Sequence, residues 1–529
     1  MAASGIENDF NAKELAGGAS SLAMGEGPWL LTQACLQDQS DGYAEFAWER
    51  QWLLHPSEKN LELKGNLFSV ESMTSGEGRV YILEAPLPHA RDGRAFDFRA
   101  TPDGDGFKIE LAQDAGWSVA DYSGGDAGRI IALQAWQRSK RPKTRGHQVP
   151  KLLCNTWGDR SCDSQVQESF ILLEIEAAKR LGADIVQIDD GWQKGRSSNS
   201  IEAKQKGGVW EGFWKADPQF WTPDPVRFPN GFEPLLAAAR SAGVELGLWF
   251  APDSWQELSN WRKDADCILG IHRETGIRHF KLDSINATTQ TAMSRAISLI
   301  NAIVRESDGE IVPDLDITAQ IRPGYLGVPG AGPLFVENRY TDWRNYWPHQ
   351  TLRALWTLAR WIDPLRLRME FLNNTRNKEL YGKSPLAPTA YPPATLFAYV
   401  MLSNPLGWFE ASSLPEEHFE SVAPLVALWR SIREELFAGT IIPVGHAPDG
   451  VAWTGFTVLM PDRRSGYALL FRELNEEPSA SFRLPGFTGA GVEVEWLAGD
   501  GSLSSKGSEV TAAIHKKLGF VFGRFRAGN

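Results

Sequence analysis

The chain has 529 residues and a mass of 58.7 kDa, enough for about three ordinary domains or one large barrel with attachments. Its 54 basic and 66 acidic residues leave a net charge of −12 and a pI near 5.4, which repels phosphate backbones and argues against nucleic acid as a partner. Apolar content of 42% with 23% charged residues is that of a globular protein and excludes a disordered one.

The first 28 residues are small and polar and are expected to form a loose start. They contain neither the basic nor the apolar region of a signal peptide, and no stretch approaches the roughly 18 apolar residues of a membrane span. The expectation is a cytoplasmic protein with no membrane partner. Cys35, Cys154, Cys162 and Cys267 form no CxxC pair and are expected to be buried, reduced thiols.

Residues 29–145 are predicted to form an N-terminal β-sandwich. Strand-length runs at 44–53, 61–70, 79–83, 107–111 and 129–136 are separated by Gly, Pro, Asp and Ser clusters. The basic run at 138–146, RSKRPKTRG, reads as a solvated linker.

From 146 to 430 the pattern changes. Strand candidates at 151–157, 185–192, 245–252, 279–284, 309–318, 333–338, 366–373 and 397–403 alternate with helical segments. Helices are predicted over 169–181, closed by Gly182, and over 232–242, closed by Gly243. Met293, Ala296, Ile297, Ile300 and Val304 recur at helical spacing. Eight strands in this rhythm predict an α/β fold with a central (β/α)8 TIM barrel. A doubly wound open sheet is the rival, but no GxGxxG opens the first βα unit. Strands return at 451–459, 467–473, 492–497 and 519–525, giving a small C-terminal β-sandwich domain over 431–529.

A barrel carries its chemistry at the C-terminal ends of its strands. Those ends here are rich in carboxylates and aromatics: Asn155-Thr156-Trp157, Asp189-Asp190-Gly191-Trp192, Trp249 to Asp253, Lys281 to Ser284, Asp314 and Asp316, Glu337-Asn338-Arg339 with Asp342 beyond, and Glu370 with Asn373-Asn374. Such groups are costly in an apolar strand unless paired or used. Two facing carboxylates can hydrolyse a glycoside, one attacking the anomeric carbon and the other serving as acid and then base. Lys281 lies two residues before Asp283, on the same face of a strand, where its charge would keep Asp283 ionised. Seven of the 21 tryptophans, Trp192, Trp210, Trp214, Trp221, Trp249, Trp255 and Trp261, fall within 70 residues. An indole suits a sugar's C–H face and a protein core equally.

The stretches IDDGW (188–192), RFPNGFEPLLAAARSAGVELGLWFAPD (227–253) and FKLDS (280–284) resemble the α-galactosidases of glycoside hydrolase family 36, and more distantly family 27. The resemblance is specific over about 151–290. It implies retaining, exo-acting release of terminal α-linked galactose from an oligosaccharide or glycoside, with no cofactor and no metal, in a protein that often forms homo-oligomers. It further implies that Asp283 is the nucleophile. Asp189 and Asp190 would bind the sugar 4- and 6-hydroxyls, Lys281 would reach neighbouring hydroxyls, and Trp157 and Trp249 would wall the pocket.

The chain departs from the family in two places. A Cys-containing, Gly-rich motif after strand 5 is replaced by VPDLDIT (312–318), which puts Asp316 in its position facing the sugar's C2. The family's Ser-Asp motif at strand 6 is replaced by FVENRYTDWRNYWP (335–348). Asp342 is the first choice for the acid/base and Glu337 the alternative; Arg339 would bind a hydroxyl, orient the acid or form an ion pair.

The same machinery would serve an α-N-acetylgalactosaminidase, a β-L-arabinopyranosidase or a galactosyltransferase of the raffinose-synthase type. Two other classes compete with these. One is a metal-dependent barrel enzyme using Asp253, Asp283 and Asp314, for which the later strands lack a Lys or His base. The other is a non-catalytic sugar binder, which would not need Asp283 and Asp342.

Overall fold

The computed structural model describes residues 13–16, 19–22, 28–55, 59–91, 93–104, 106–113, 116–159, 161–336 and 346–528. At its centre eight parallel strands close into a barrel: β1 (Leu153–Asn155), β2 (Ile185–Ile188), β3 (Glu245–Phe250), β4 (His279–Leu282), β5 (Val312–Asp316), β6 (Leu334–Phe335), β7 (Leu367–Phe371) and β8 (Asn404–Gly407). Register runs through Leu153↔Ile185, Gly247↔His279 and Lys281↔Asp314, and Leu153↔Leu406 closes the ring. Closure leaves no strand edge and points every strand's C-terminal end to one rim.

Antiparallel sheets flank the barrel. Before it, a six-stranded and a four-stranded sheet enclose Leu31, Phe68, Tyr81, Phe98, Phe107 and Ile109. After it, a five-stranded and a three-stranded sheet enclose Trp453, Leu470, Phe482, Val510 and Val521. The expected α/β architecture, a TIM barrel between β layers, is the one observed.

Two strand-length runs are helices instead. Residues 129–136 belong to α1 (Gly125–Ser139), where Ile130, Leu133, Trp136 and Gln137 bury one helical face. The run IIALQAW is dense in good helix formers, and its period is the helical one. Residues 397–403 fall largely in α7 (Pro393–Val400). Pro393 takes the first turn, where its missing N–H costs nothing, and the helix is buried all round, so the run shows no periodicity. The eighth barrel strand is instead Asn-Pro-Leu-Gly, whose Pro405 reads as a breaker in the sequence.

The other helices used below are α2 (Glu168–Leu181), α3 (Glu233–Ala242), α4 (Trp261–Thr275), α5 (Gln290–Glu306), α6 (Pro348–Leu358) and α8 (Glu416–Ala438). α2 and α3 end on the left-handed glycines Gly182 and Gly243. On α5, Met293, Ala296 and Ile300 are buried, while Ile297 and Val304 pack at the margin. The expected border at residue 430 falls inside α8.

The basic run 138–146 is not a solvated linker. Arg141 is buried, and it and Arg138 grip Asp363 just before β7, at 2.6 and 2.9 Å. The four cysteines form no disulfide, but only Cys154 is fully buried; Cys35, Cys162 and Cys267 are partly buried. Among the described residues no helix is long and apolar enough to cross a membrane.

Candidate active site

β4 runs through Lys281 and delivers Asp283 to the rim, where the Asp283 N–H donates to Phe250 O at 3.1 Å. The next residue, Ser284, is left-handed with φ +60°, a conformation that costs a non-glycine residue about 1–3 kcal/mol. This turn frees the Asp283 carboxylate from the strand's course. Oδ1 accepts from Arg322 Nη2 at 3.0 Å and from Ser284 N at 2.6 Å, and Oδ2 accepts from Trp249 Nε1 at 3.1 Å. The Asp283 side chain is 17% exposed, while those of Lys281, Asp189, Asp316 and Arg322 are 3% exposed or less. Asp283 is therefore the most exposed member of the cluster.

Lys281 Nζ sits among three carboxylates: Asp189 Oδ2 at 3.0 Å, Asp316 Oδ2 at 3.7 Å and Asp283 Oδ2 at 3.9 Å. The rings of Phe335 and Trp408 flank it at 4.6 and 5.1 Å. Arg322 binds Asp316 Oδ1 at 2.5 Å while holding Asp283 with its other nitrogen, and its Nε donates to Ile285 O at 3.2 Å. Two cations thus face the three carboxylates Asp189, Asp283 and Asp316.

These contacts set the protonation states. Burial works to raise the Asp283 carboxyl, but the Arg322 and Lys281 cations outweigh it and hold it below the usual carboxylate range. Burial and the charge of Asp283 push Asp316 upward, with Arg322 opposing. Burial would discharge Lys281, yet Asp189, Asp283 and Asp316 together keep its ammonium more firmly protonated than usual. The cluster thus favours an ionised Asp283.

Asp189 and Asp190 diverge. Asp189 Oδ2 accepts from Lys281 and from Asn155 Nδ2 at 2.7 Å, inside the cluster. Asp190 turns to the following loop, where Gln193 Nε2 donates at 2.6 Å and Ser197 Oγ donates to its other oxygen. Burial pushes its carboxyl up to about 7 despite both bonds. Trp249 is fully buried, and its indole N–H is spent on Asp283. Trp157 is buried with Phe335, Tyr346 and Trp408. Gly158, beside it, abuts the Trp408 backbone so closely that a Cβ would lie 2.1 Å from the carbonyl carbon, which pins the β1 and β8 ends together. Of the tryptophan cluster, Trp192, Trp221 and Trp249 are core, with Trp221 stacked on Phe250 at 4.1 Å, while Trp210, Trp214, Trp255 and Trp261 are half-exposed.

Glu337, Arg339 and Asp342 lie outside the described residues. Arg322 and Trp408 belong to the site and escaped the sequence reading. Arg322 sits in a loop six residues past Asp316, between Ile321 and Pro323, and a lone polar residue in an apolar setting was its only signal. Among the described residues no group of three or more His, Cys, Asp or Glu is placed to hold a metal ion. The three carboxylates of the metal alternative are already engaged: Asp253 by Gly212 N and Asn260, Asp314 by Arg368, and Asp283 as above.

No protein-family model matches the chain. A stretch of 105 residues is 33% identical to Alpha-galactosidase 2 of Pediococcus pentosaceus, covering 20% of this chain and 12% of that enzyme. Over 118 residues the chain is 32% identical to the alpha-galactosidase of Escherichia coli, covering 22% of this chain and 14% of the relative. The matched stretches are thus about an eighth of the relatives' own length. The fold is similar to that of the GH36 alpha-galactosidase AgaA from Geobacillus stearothermophilus, with a TM-score of 0.65 at 14% identity over 98% of this chain and 76% of AgaA. A variant of AgaA in complex with raffinose superposes with a TM-score of 0.64. The chain resembles family 36 α-galactosidases, as its motifs imply; at this identity the structural likeness is one of fold.

Proposed function

We propose that the chain is a retaining, exo-acting α-galactosidase. The observation that carries the reading is the Asp283 carboxylate: partly open to the rim, and held on both oxygens by Arg322, Trp249 and Ser284, an arrangement that favours its ionised form. A nucleophile fixed in this way needs little reorganisation at the moment of attack. Its oxygen would bond to the anomeric carbon as the bond to the leaving oxygen breaks. Asp342, or Glu337 in its place, would protonate that oxygen and later take a proton from the water that releases the sugar. Asp189, with Lys281 beside it, would accept hydrogen bonds from sugar hydroxyls. Asp190, whose oxygens serve Gln193 and Ser197, would shape the loop around them.

The substrate would be an oligosaccharide or glycoside ending in α-galactose, as in the raffinose complex of AgaA. A cytoplasmic location is part of this reading. Activity is tested on a panel of nitrophenyl α- and β-glycosides, with NMR of the first sugar anomer released. α-Galactoside turnover with retained configuration is expected, and Asp283→Asn should lower kcat by about 10³-fold or more. Inverted product, or labelling of another side chain by a fluorosugar inactivator, would overturn the assignment.

A further inference from the structure

A TIM-barrel interior is ordinarily packed with branched apolar side chains. Beneath Asp189 the interior is instead a chain of buried polar groups: Arg368, Asp314, Gln187 and Asn155. Arg368 Nε and Nη2 donate to Asp314 Oδ1 at 2.9 and 2.7 Å. Gln187 Nε2 donates to the other Asp314 oxygen at 3.3 Å. Gln187 Oε1 accepts from Asn155 Nδ2 at 2.8 Å, and the same Nδ2 donates to Asp189 Oδ2 at 2.7 Å. Asn155 Oδ1 accepts from Trp157 N at 2.8 Å.

Both amides are oriented from outside. A backbone N–H can only donate, so the Asn155 oxygen must face Trp157. An ionised carboxylate can only accept, so the Gln187 nitrogen must face Asp314. We propose that these four residues are a positioning relay, in which the Asp314 carboxylate paired with Arg368 at one end and the Trp157 N–H at the other hold Gln187 and Asn155 in one direction, so that Asn155 presents a donor to Asp189. The catalytic consequence rests on Asp189 being a sugar-binding group; the direction of the relay does not.

The relay makes a prediction that a passive ion pair does not. In Asp314→Asn the new amide must turn its oxygen to Arg368 and its NH2 to Gln187. Gln187 then reverses, and Asn155 must show its oxygen to Asp189 or leave two donors facing each other. Gln187→Glu alone sets two carboxylates about 3.3 Å apart. The double variant Asp314→Asn with Gln187→Glu keeps the total charge and restores an acceptor at 187 for both neighbouring NH2 groups, so Asn155 again donates to Asp189.

Expected for each single variant is a fall of about ten- to a hundred-fold in kcat/KM on nitrophenyl α-galactoside, carried mainly by KM, with the double variant within about threefold of the parent. Thermal melting temperatures should follow the same order. Crystal structures should show the Trp157–Asn155 bond broken in Asp314→Asn and remade in the double variant. A single Asp314→Asn variant with unchanged KM and amide orientation would refute the relay, as would a double variant no better than the worse single. If the parent hydrolyses no α-galactoside, the functional reading fails, while the melting temperatures and crystal structures still decide the relay.

Discussion

Arg322 sets how far Asp283 departs from an ordinary carboxylate. Its planar fork spans Asp283 and Asp316 at once, which a lysine's single ammonium cannot reproduce. Replacing it by Met removes the cation that most favours ionised Asp283, leaving burial and the neighbouring Asp316 to raise the pKa. The nucleophile proposed above has to be ionised to attack, so the acidic limb of kcat/KM is expected below the usual carboxylate range in the parent. It should move upward by about one unit or more in Arg322→Met. A pH–rate profile on nitrophenyl galactoside measures this; an unmoved limb would show that Lys281 alone holds the charge. Asp283 and Lys281 were legible in the sequence because they are two residues apart on one strand. Arg322 is 39 residues from Asp283, and only the return of the loop after β5 brings them together.

At the scale of elements, β8 shows how a strand forms without strand-like composition. Asn-Pro-Leu-Gly has poor β-propensity, yet it closes the barrel between β7 and β1. Asn404 stitches it in: Oδ1 accepts from Lys151 N at 3.1 Å and Nδ2 donates to Leu365 O. Asn404→Ala strips both bonds and leaves a buried N–H and C=O unmet, costing about 2–4 kcal/mol. A clear fall in melting temperature is expected, with faster amide exchange concentrated in β1 and β8. Loss of stability without local exchange would mean that the closure does not depend on this side chain. The α7 run misleads because a helix buried all round shows no period, whereas the α1 run carries the helical period and reads as a strand on its short apolar length alone.

Across the whole molecule, Asp363 joins the barrel to α1. It is fully buried, accepts from Arg138 and Arg141, and its backbone N–H donates to Gln137 Oε1 at 3.0 Å. Burial raises its pKa but the two guanidinium groups prevail, holding it below the ordinary range. Its contribution is therefore complete above the unfolded-state value near 3.9 and is lost as pH falls through the lower folded value. Asp363→Asn leaves a buried Arg141 without its counter-ion and should cost about 3–5 kcal/mol at pH 7. Thermal melts should show the gap to the parent closing below about pH 4. A gap that is constant with pH would assign the loss to packing instead.

The amino-acid order alone determined the barrel's rhythm, the placement of Asp189, Lys281 and Asp283 at strand ends, and the flanking β layers, because alternation, helix-closing glycines and strand-end chemistry are local properties. Tertiary structure decided which carboxylate faces inward, with Asp189 in the cluster and Asp190 on the loop, and which cations hold Asp283 and Asp316. It also decided the polar chain from Arg368 to Asn155. These depend on distances between residues up to about two hundred positions apart in the chain, which no local pattern encodes until the barrel has closed.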